Sequence, residues 1–598
     1  MRVSKLTPIS LVLFGLSAVA QDVQPAATPA RMLAAQVSAV ASSPAAAASA
    51  APAAASPSND APATAHPAAP QKELAATLAD QVIDRIIERE HALMMMLRTR
   101  TPIVETYLQN LKLDPQLGPV PKNDRYFLGR MDLSDSIDRK TFLSDENIQK
   151  HLLGGLTKFF KVQYQPLGFS WMIFADRNDF DRRHYDFRFV RREFLGDVRT
   201  LVFDLTPKKG SGNGRFLGRI WVEDQDFNIV RLNGTYAPRP RNAYFFHMDS
   251  WRLNLIPGYW VPAYIYSEEG DFSFGSKDTL AFKAQTRIWG YDLKKDRKED
   301  ELTQVLVESV QDKSAAAQDA SPVESARAFE QEAEDNVIDR LESAGLLAPA
   351  GEVDKILQTV VNNIAITNNL ELSRPVRARI MLTSPLETFS VGNTIVISRG
   401  LVDVLPDEAS LAMVLSHELG HIVLGQNLGS KYAFNDRMLF ADESTYNNLG
   451  FRHSPQEEKS ADEKAVQLLK NSPYAQKLDR GGLFLRVLAY RAPQLEMLLT
   501  PHLGNALATN GNVVRMADLM NAAPTLEMEK LDQIAALPLG GRIKLNPWDN
   551  RVEMVKSQPV ALSSAREKMP FEVTPFLPRL TRLGVSAETT TAVNKTTN

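Results

Sequence analysis

The 598 residues contain no cysteine. That absence excludes disulfides, thiolate metal sites and a lipid-modified cysteine anchor. A chain without disulfides must rely on its hydrophobic cores, which this length permits. Beyond the first 20 residues there is also no apolar run long enough to cross a hydrocarbon layer of about 30 Å. Basic excess is missing too. Lys and Arg number 68 against 71 Asp and Glu, leaving a formal charge of −3 and no reason to expect a nucleic-acid partner. At this length, two or three domains are expected rather than one core.

The opening residues, MRVSKLTPISLVLFGLSAVAQD, carry Arg2 and Lys5, then an apolar run, then Ala18-Val19-Ala20. This is the pattern of a secretory signal peptide, residues 1–20, cut near Ala20. The run is short for a membrane anchor and Pro8 interrupts its start. The expected location is therefore periplasmic, with no transmembrane segment after cleavage and at most a peripheral association with the outer membrane. Residues 21–71 are mostly Ala, Pro and Ser and read as a disordered tether. Residues 72–124 read as a helical segment, from apolar spacing at Leu74, Leu78, Val82 and Ile86.

From 125 to 292 the pattern changes to aromatic residues with period two, as in RTLVFDLTP and RFLGRIWVEDQDFNIVRL. Turn residues separate the runs, as in an antiparallel meander. The order of these runs resembles the curved half-barrel of lipoprotein carriers of the LolA type. That resemblance implies an apolar concave face for acyl chains or an extended polypeptide; the other reading is that the aromatics simply fill a core. The period-two pattern between polar linkers predicts a domain that folds independently. A polar linker, 293–325, precedes a mainly helical segment, 326–557. The tail, 558–598, is expected to be partly disordered. The fold class is thus α+β and multidomain, a β half-barrel-like domain followed by a mainly helical one.

Within the second segment lies VLSHELGHIVLG, residues 414–425. On a helix, His417 and His421 project from one face one turn apart and can grip one metal ion. Glu418 can reach a water on that ion, take its proton and return it to a leaving amine. Chance alone yields His-Glu-x-x-His in roughly one chain in a hundred of this length and histidine content. Context adds weight. Asp407 precedes a helical run that Gly425 ends, and the short strand TIVIS before it is taken as an edge that could pair with an extended peptide. No further histidine completes a His-x-x-Gly-x-x-His form. The stretch EEKSAD, residues 457–462, offers a carboxylate as third ligand instead. Glu458 shares a helix face with Asp462, which can orient a ligand histidine, whereas Glu457 points about 100° away.

ETFSVGNTIVISRGLVDVLPDEASLAMVLSHELGHIVLGQ, together with Glu458-Lys459-Ser460-Ala461-Asp462, resembles the CAAX prenyl protease-like, HtpX-like zinc metallopeptidases, which are gluzincins. The resemblance covers about residues 350–480. It implies a zinc endopeptidase holding one Zn2+ per chain on His417, His421 and Glu458, with Glu418 as general acid/base and Asp462 behind a ligand. It implies polypeptide substrates, with misfolded envelope proteins and lipoproteins as candidates, in the soluble exported branch concerned with protein quality control. The alternative is a chaperone for lipoproteins or unfolded chains with a weakly active peptidase domain. Two departures stand against the family pattern. Ser460 replaces an acidic residue, and a later metal-proximal histidine has no counterpart, since His453 and His502 read as structural or exposed.

Overall fold

A computed structural model describes residues 70–131, 139–141, 166–291, 322–426, 446–526, 543–545, 552–554, 580 and 582, apart from gaps at 115–117, 239–245, 273–279, 373, 448, 510–511 and 514. The signal peptide, the tether and most of the linker and tail lie outside these residues.

Helix α1, Pro70–Leu97, buries Ile83, Ile86, Leu93 and Leu97, spaced by three, seven and four positions along one stripe. Glu90 falls on the same stripe. Its carboxylate takes both terminal nitrogens of Arg252, at 2.6 and 2.7 Å, in a bidentate pair that is sealed from solvent. Breaking such a pair by removing one partner costs about 3–5 kcal/mol, so it fixes α1 on the sheet.

The helical reading of 72–124 fails after residue 97. Ile103–Asp114 and Gly118–Met131 form strands β1 and β2. The stretch IVETYL alternates its side chains between two buried faces, a period-two pattern that a helix could not satisfy. Eight more strands follow: β3 (Arg139–Thr141), β4 (Tyr185–Leu195), β5 (Val198–Pro207), β6 (Arg215–Glu223), β7 (Ile229–Ala237), β8 (Met248–Ile256), β9 (Tyr259–Phe272) and β10 (Leu280–Trp289). The ten form one antiparallel sheet in the order β3-β2-β1-β10-β9-β8-β7-β6-β5-β4. β1 therefore sits inside the sheet, paired with β10 from Ile103↔Trp289 to Leu111↔Ala281.

Both faces of the central strands are packed, while Phe189 and Phe194 on β4 are exposed. Val104, Leu108, Ile220, Ile265 and Ile288 pack with α1 and the 3-10 turn Pro166–Ile173. Tyr107, Trp221, Trp251, Trp260 and Trp289 turn the other way and join the core of the C-terminal part. Helix α1 thus packs on one face of the sheet, and the described residues form one compact unit. A fragment spanning 125–292 lacks the strand that joins β2 to β10. We expect it to show no cooperative unfolding transition by circular dichroism; a sharp two-state transition would contradict this.

The C-terminal part begins with helices Pro322–Ser343 and Glu352–Thr367. A three-stranded sheet follows, β11 (Arg377–Met381), β12 (Thr388–Val391) and β13 (Thr394–Ser398), in the order β11-β13-β12. The TIVIS strand is therefore central rather than an edge, because β11 pairs with it in parallel on its other side. The edge is β12. Next come the turn helix Arg399–Val404, the metal helix Glu408–Val423 and the acid helix Pro455–Lys470. Two buried carboxylates tie the large sheet to this part. Glu105 accepts the Ser384 amide at 2.5 Å, and Asp124 accepts the amides of Met497 and Leu498 at 2.9 and 2.8 Å. Burial, working against those amides, pushes the Asp124 carboxyl up to about 7. In the tail, Leu580 is buried and Arg582 pairs with Glu223 of β6.

Candidate metal centre

The metal helix starts where Asp407 caps it, its carboxylate accepting the Ser410 amide at 2.8 Å. It ends at Gly425, whose φ of 66° is the left-handed value that closes helices. The acid helix starts with a capping box: Ser454 accepts the Glu457 amide, and the Glu457 carboxylate accepts the Ser454 amide at 2.8 Å. Two small residues let these helices meet. A Cβ on Gly420 would lie 2.8 Å from the Ala461 carbonyl oxygen, so glycine is required there for the approach.

That approach brings His417, His421 and Glu458 together, all buried, with ligand-type atoms within 4.8 Å of one another. The two Nε2 atoms are 3.1 Å apart. Glu458 Oε2 lies 3.3 Å from His417 Nε2, and Oε1 lies 3.5 Å from His421 Nε2. A tetrahedral ion with bonds of about 2.1 Å sets its ligand atoms about 3.4 Å apart. The two Nε2 atoms, and the Glu458 oxygen facing each of them, lie near that spacing. Nitrogen and oxygen donors in this ratio suit zinc. Burial would raise the Glu458 carboxyl, but both histidines and the Arg515 charge hold it well below the usual range.

Each histidine is oriented from behind. His417 Nδ1 is 2.7 Å from Asp462 Oδ1, as the shared face of Glu458 and Asp462 led us to expect. His421 Nδ1 is 2.7 Å from Gln426 Oε1, and Gln426 Nε2 donates to Ser460 Oγ at 2.7 Å. Both contacts place the Nδ1 proton on the partner side and leave Nε2 free to ligate. Ser460, a departure from the family pattern, therefore has a place here: it holds the residue that holds His421. We expect Asp462→Ala and Gln426→Ala each to weaken zinc affinity about 10- to 100-fold in a competitive chelator titration. Unchanged affinity in both would mean that these partners do not fix the rings.

Glu418 is buried beside the cluster. Its Oε1 accepts Arg515 Nη1 at 2.9 Å, while no hydrogen bond reaches its Oε2. No motif or local spacing singles out Arg515. His453 is also closer than expected. Its ring stacks on His421 with centroids 3.7 Å apart and planes 11° from parallel, and burial next to His421 pulls its pKa down to about 4. His502 lies away from the cluster, stacked on Tyr446 and donating from Nε2 to that residue's carbonyl at 3.1 Å.

Residues 352–440 match peptidase family M48. The match spans the metal helix and ends before the acid helix. No curated protein matches the chain. Among solved structures, the chain is similar to a LolA superfamily protein from Nitrosomonas europaea, at 12% identity, with 36% of this chain and 94% of that one covered and a TM-score of 0.17. It is also similar to an outer-membrane lipoprotein-sorting protein domain from Vibrio parahaemolyticus, at 9% identity, 34% and 91% coverage and a TM-score of 0.18.

Proposed function

We propose that this chain, a metallopeptidase by its M48 segment and its His–His–Glu cluster, is an exported zinc endopeptidase acting on polypeptides of the cell envelope. The observation that supports the metal assignment is the buried cluster itself, with the two Nε2 atoms 3.1 Å apart and a Glu458 oxygen 3.3 and 3.5 Å from them. His417, His421 and Glu458 would hold the ion, and Asp462 and Gln426 fix the two rings. A zinc ion bound there would polarise the scissile carbonyl and acidify a water molecule.

Glu418 accepts the proton of the attacking water. It then delivers that proton to the leaving amine as the carbon–nitrogen bond breaks. Its burial keeps bulk water from competing for the proton and strengthens its interaction with the reacting atoms. Export rests on the N-terminal pattern, and among the described residues no helix is long and apolar enough to cross a membrane. The chaperone reading leaves the buried His–His–Glu cluster without a role.

The substrate class is tested by expressing Glu418→Gln in the envelope as an inactive trap. Misfolded envelope proteins and lipoproteins should accumulate or co-purify with that variant and not with wild type. An envelope whose protein content is unchanged would contradict an envelope role.

A further inference from the structure

Arg515 stands 97 positions from Glu418, yet it is one of the largest fully buried side chains. Besides its 2.9 Å bond to Glu418 Oε1, its Nε lies 3.1 Å from Glu458 Oε2, and its Nη2 reaches the Thr388 carbonyl at 3.4 Å. Thr388 belongs to the edge strand β12. One guanidinium therefore spans the candidate base, the candidate third ligand and the strand beside them.

The next residue makes the arrangement specific. Met516 has φ 56° and ψ 35°, the left-handed region that side chains other than Gly, Asn and Asp rarely occupy. In that conformation its amide donates to Asp462 Oδ2 at 2.8 Å, while Asp462 Oδ1 holds His417. A single corner of the chain thus reaches Glu418 with a side chain and the carboxylate behind His417 with a backbone amide. Strain of this kind persists where the surroundings over-determine it, and it gathers at functional sites.

A purely structural account leaves one feature unexplained. A cation against Glu458 repels any metal ion that carboxylate binds, so Arg515 works against metal affinity. Its compensating effect falls on Glu418. With Oε1 clamped, the carboxylate cannot rotate freely, and Oε2 is the oxygen left without a hydrogen bond. We propose that Arg515 is a positioning residue for peptide hydrolysis, holding Glu418 by Oε1 so that Oε2 faces the attacking water. This rests on the zinc endopeptidase reading.

The test uses zinc-loaded full-length wild type, Arg515→Ala and Arg515→Lys, assayed for zinc content, zinc affinity, and kcat and KM on a quenched fluorescent peptide. In Arg515→Ala, zinc should remain at one per chain with affinity equal to or tighter than wild type. Its kcat should fall about 100-fold, the scale of a misplaced catalytic group, with KM within about threefold. Lysine, which supplies a point charge without the fork, should recover part of kcat. Loss of zinc in Arg515→Ala would make the residue a brace for the metal site and overturn the proposal. A rise in activity would make it a plug, and a rise in KM alone would make it a substrate contact; either result also overturns it. If the zinc-loaded wild type itself hydrolyses nothing, the endopeptidase reading fails and this proposal falls with it.

Discussion

Replacing Glu458 with alanine should leave the purified chain without stoichiometric zinc, while Glu457→Ala keeps the full complement. The two acids are adjacent, but the acid helix separates their tasks. Glu458 is turned inward and lies 3.3 and 3.5 Å from the two ligand nitrogens. Glu457 is turned outward and closes the capping box on Ser454. Loss of Glu458 removes one of three ligands and leaves two histidines facing a vacated pocket. We expect affinity to fall by more than about 100-fold, beyond the loss expected for an orienting partner. Loss of Glu457 removes half of a cap, worth about 1 kcal/mol of helix stability, with no change at the metal. Zinc content by atomic absorption, together with a thermal melt, checks both. Zinc lost in Glu457→Ala and kept in Glu458→Ala would show that the helix register is wrong.

Glu418→Gln should behave in the opposite way. The amide is nearly isosteric and Glu418 is not among the three clustered ligand residues, so zinc should stay at one per chain. Turnover should fall by about 10²- to 10⁴-fold, because an amide cannot accept the water proton. The Arg515 contact sharpens the expectation, since glutamine can still accept from Nη1 through its carbonyl oxygen. The architecture should therefore survive while proton transfer is lost. Activity within a few-fold of wild type would remove Glu418 from the chemistry.

Much of the metal centre was legible in the sequence because its spacings are those of a helix. His417 and His421, and likewise Glu458 and Asp462, are pairs four apart, and such pairs share a face whatever surrounds them. The resemblance to HtpX-like peptidases rests on the same residues, and the M48 match covers the first pair. Arg515 and Gln426 were not legible. Each acts through a tertiary contact, Arg515 from a corner held by a left-handed Met516, Gln426 from just beyond the helix-ending Gly425. No local period marks either one. His453 read as structural because only the fold stacks it on His421.

The fold shows the same division. Strands β4 to β9 were visible through period-two aromatics and turn residues. β1 was missed because the helical spacing of α1 was extended across Thr99–Pro102, where the chain leaves the helix. The edge was assigned to TIVIS because the parallel partner β11 comes before an intervening strand, and pairing order is not written in local pattern. The core expected to belong to the β domain alone is shared with the C-terminal part. Tryptophans that read as one domain's core face a neighbouring core instead.

The most direct measurement is zinc-stoichiometric hydrolysis. Wild-type protein is stripped with a chelator, dialysed and titrated with zinc while cleavage of a fluorescent casein is followed. The chain should be inactive when stripped, regain activity in proportion to added zinc, and reach its plateau at one zinc per chain, with His417→Ala and Glu458→Ala failing to recover over the same range. Hydrolysis that persists in the stripped protein, or that returns fully in both variants, would contradict a metal centre built from His417, His421 and Glu458.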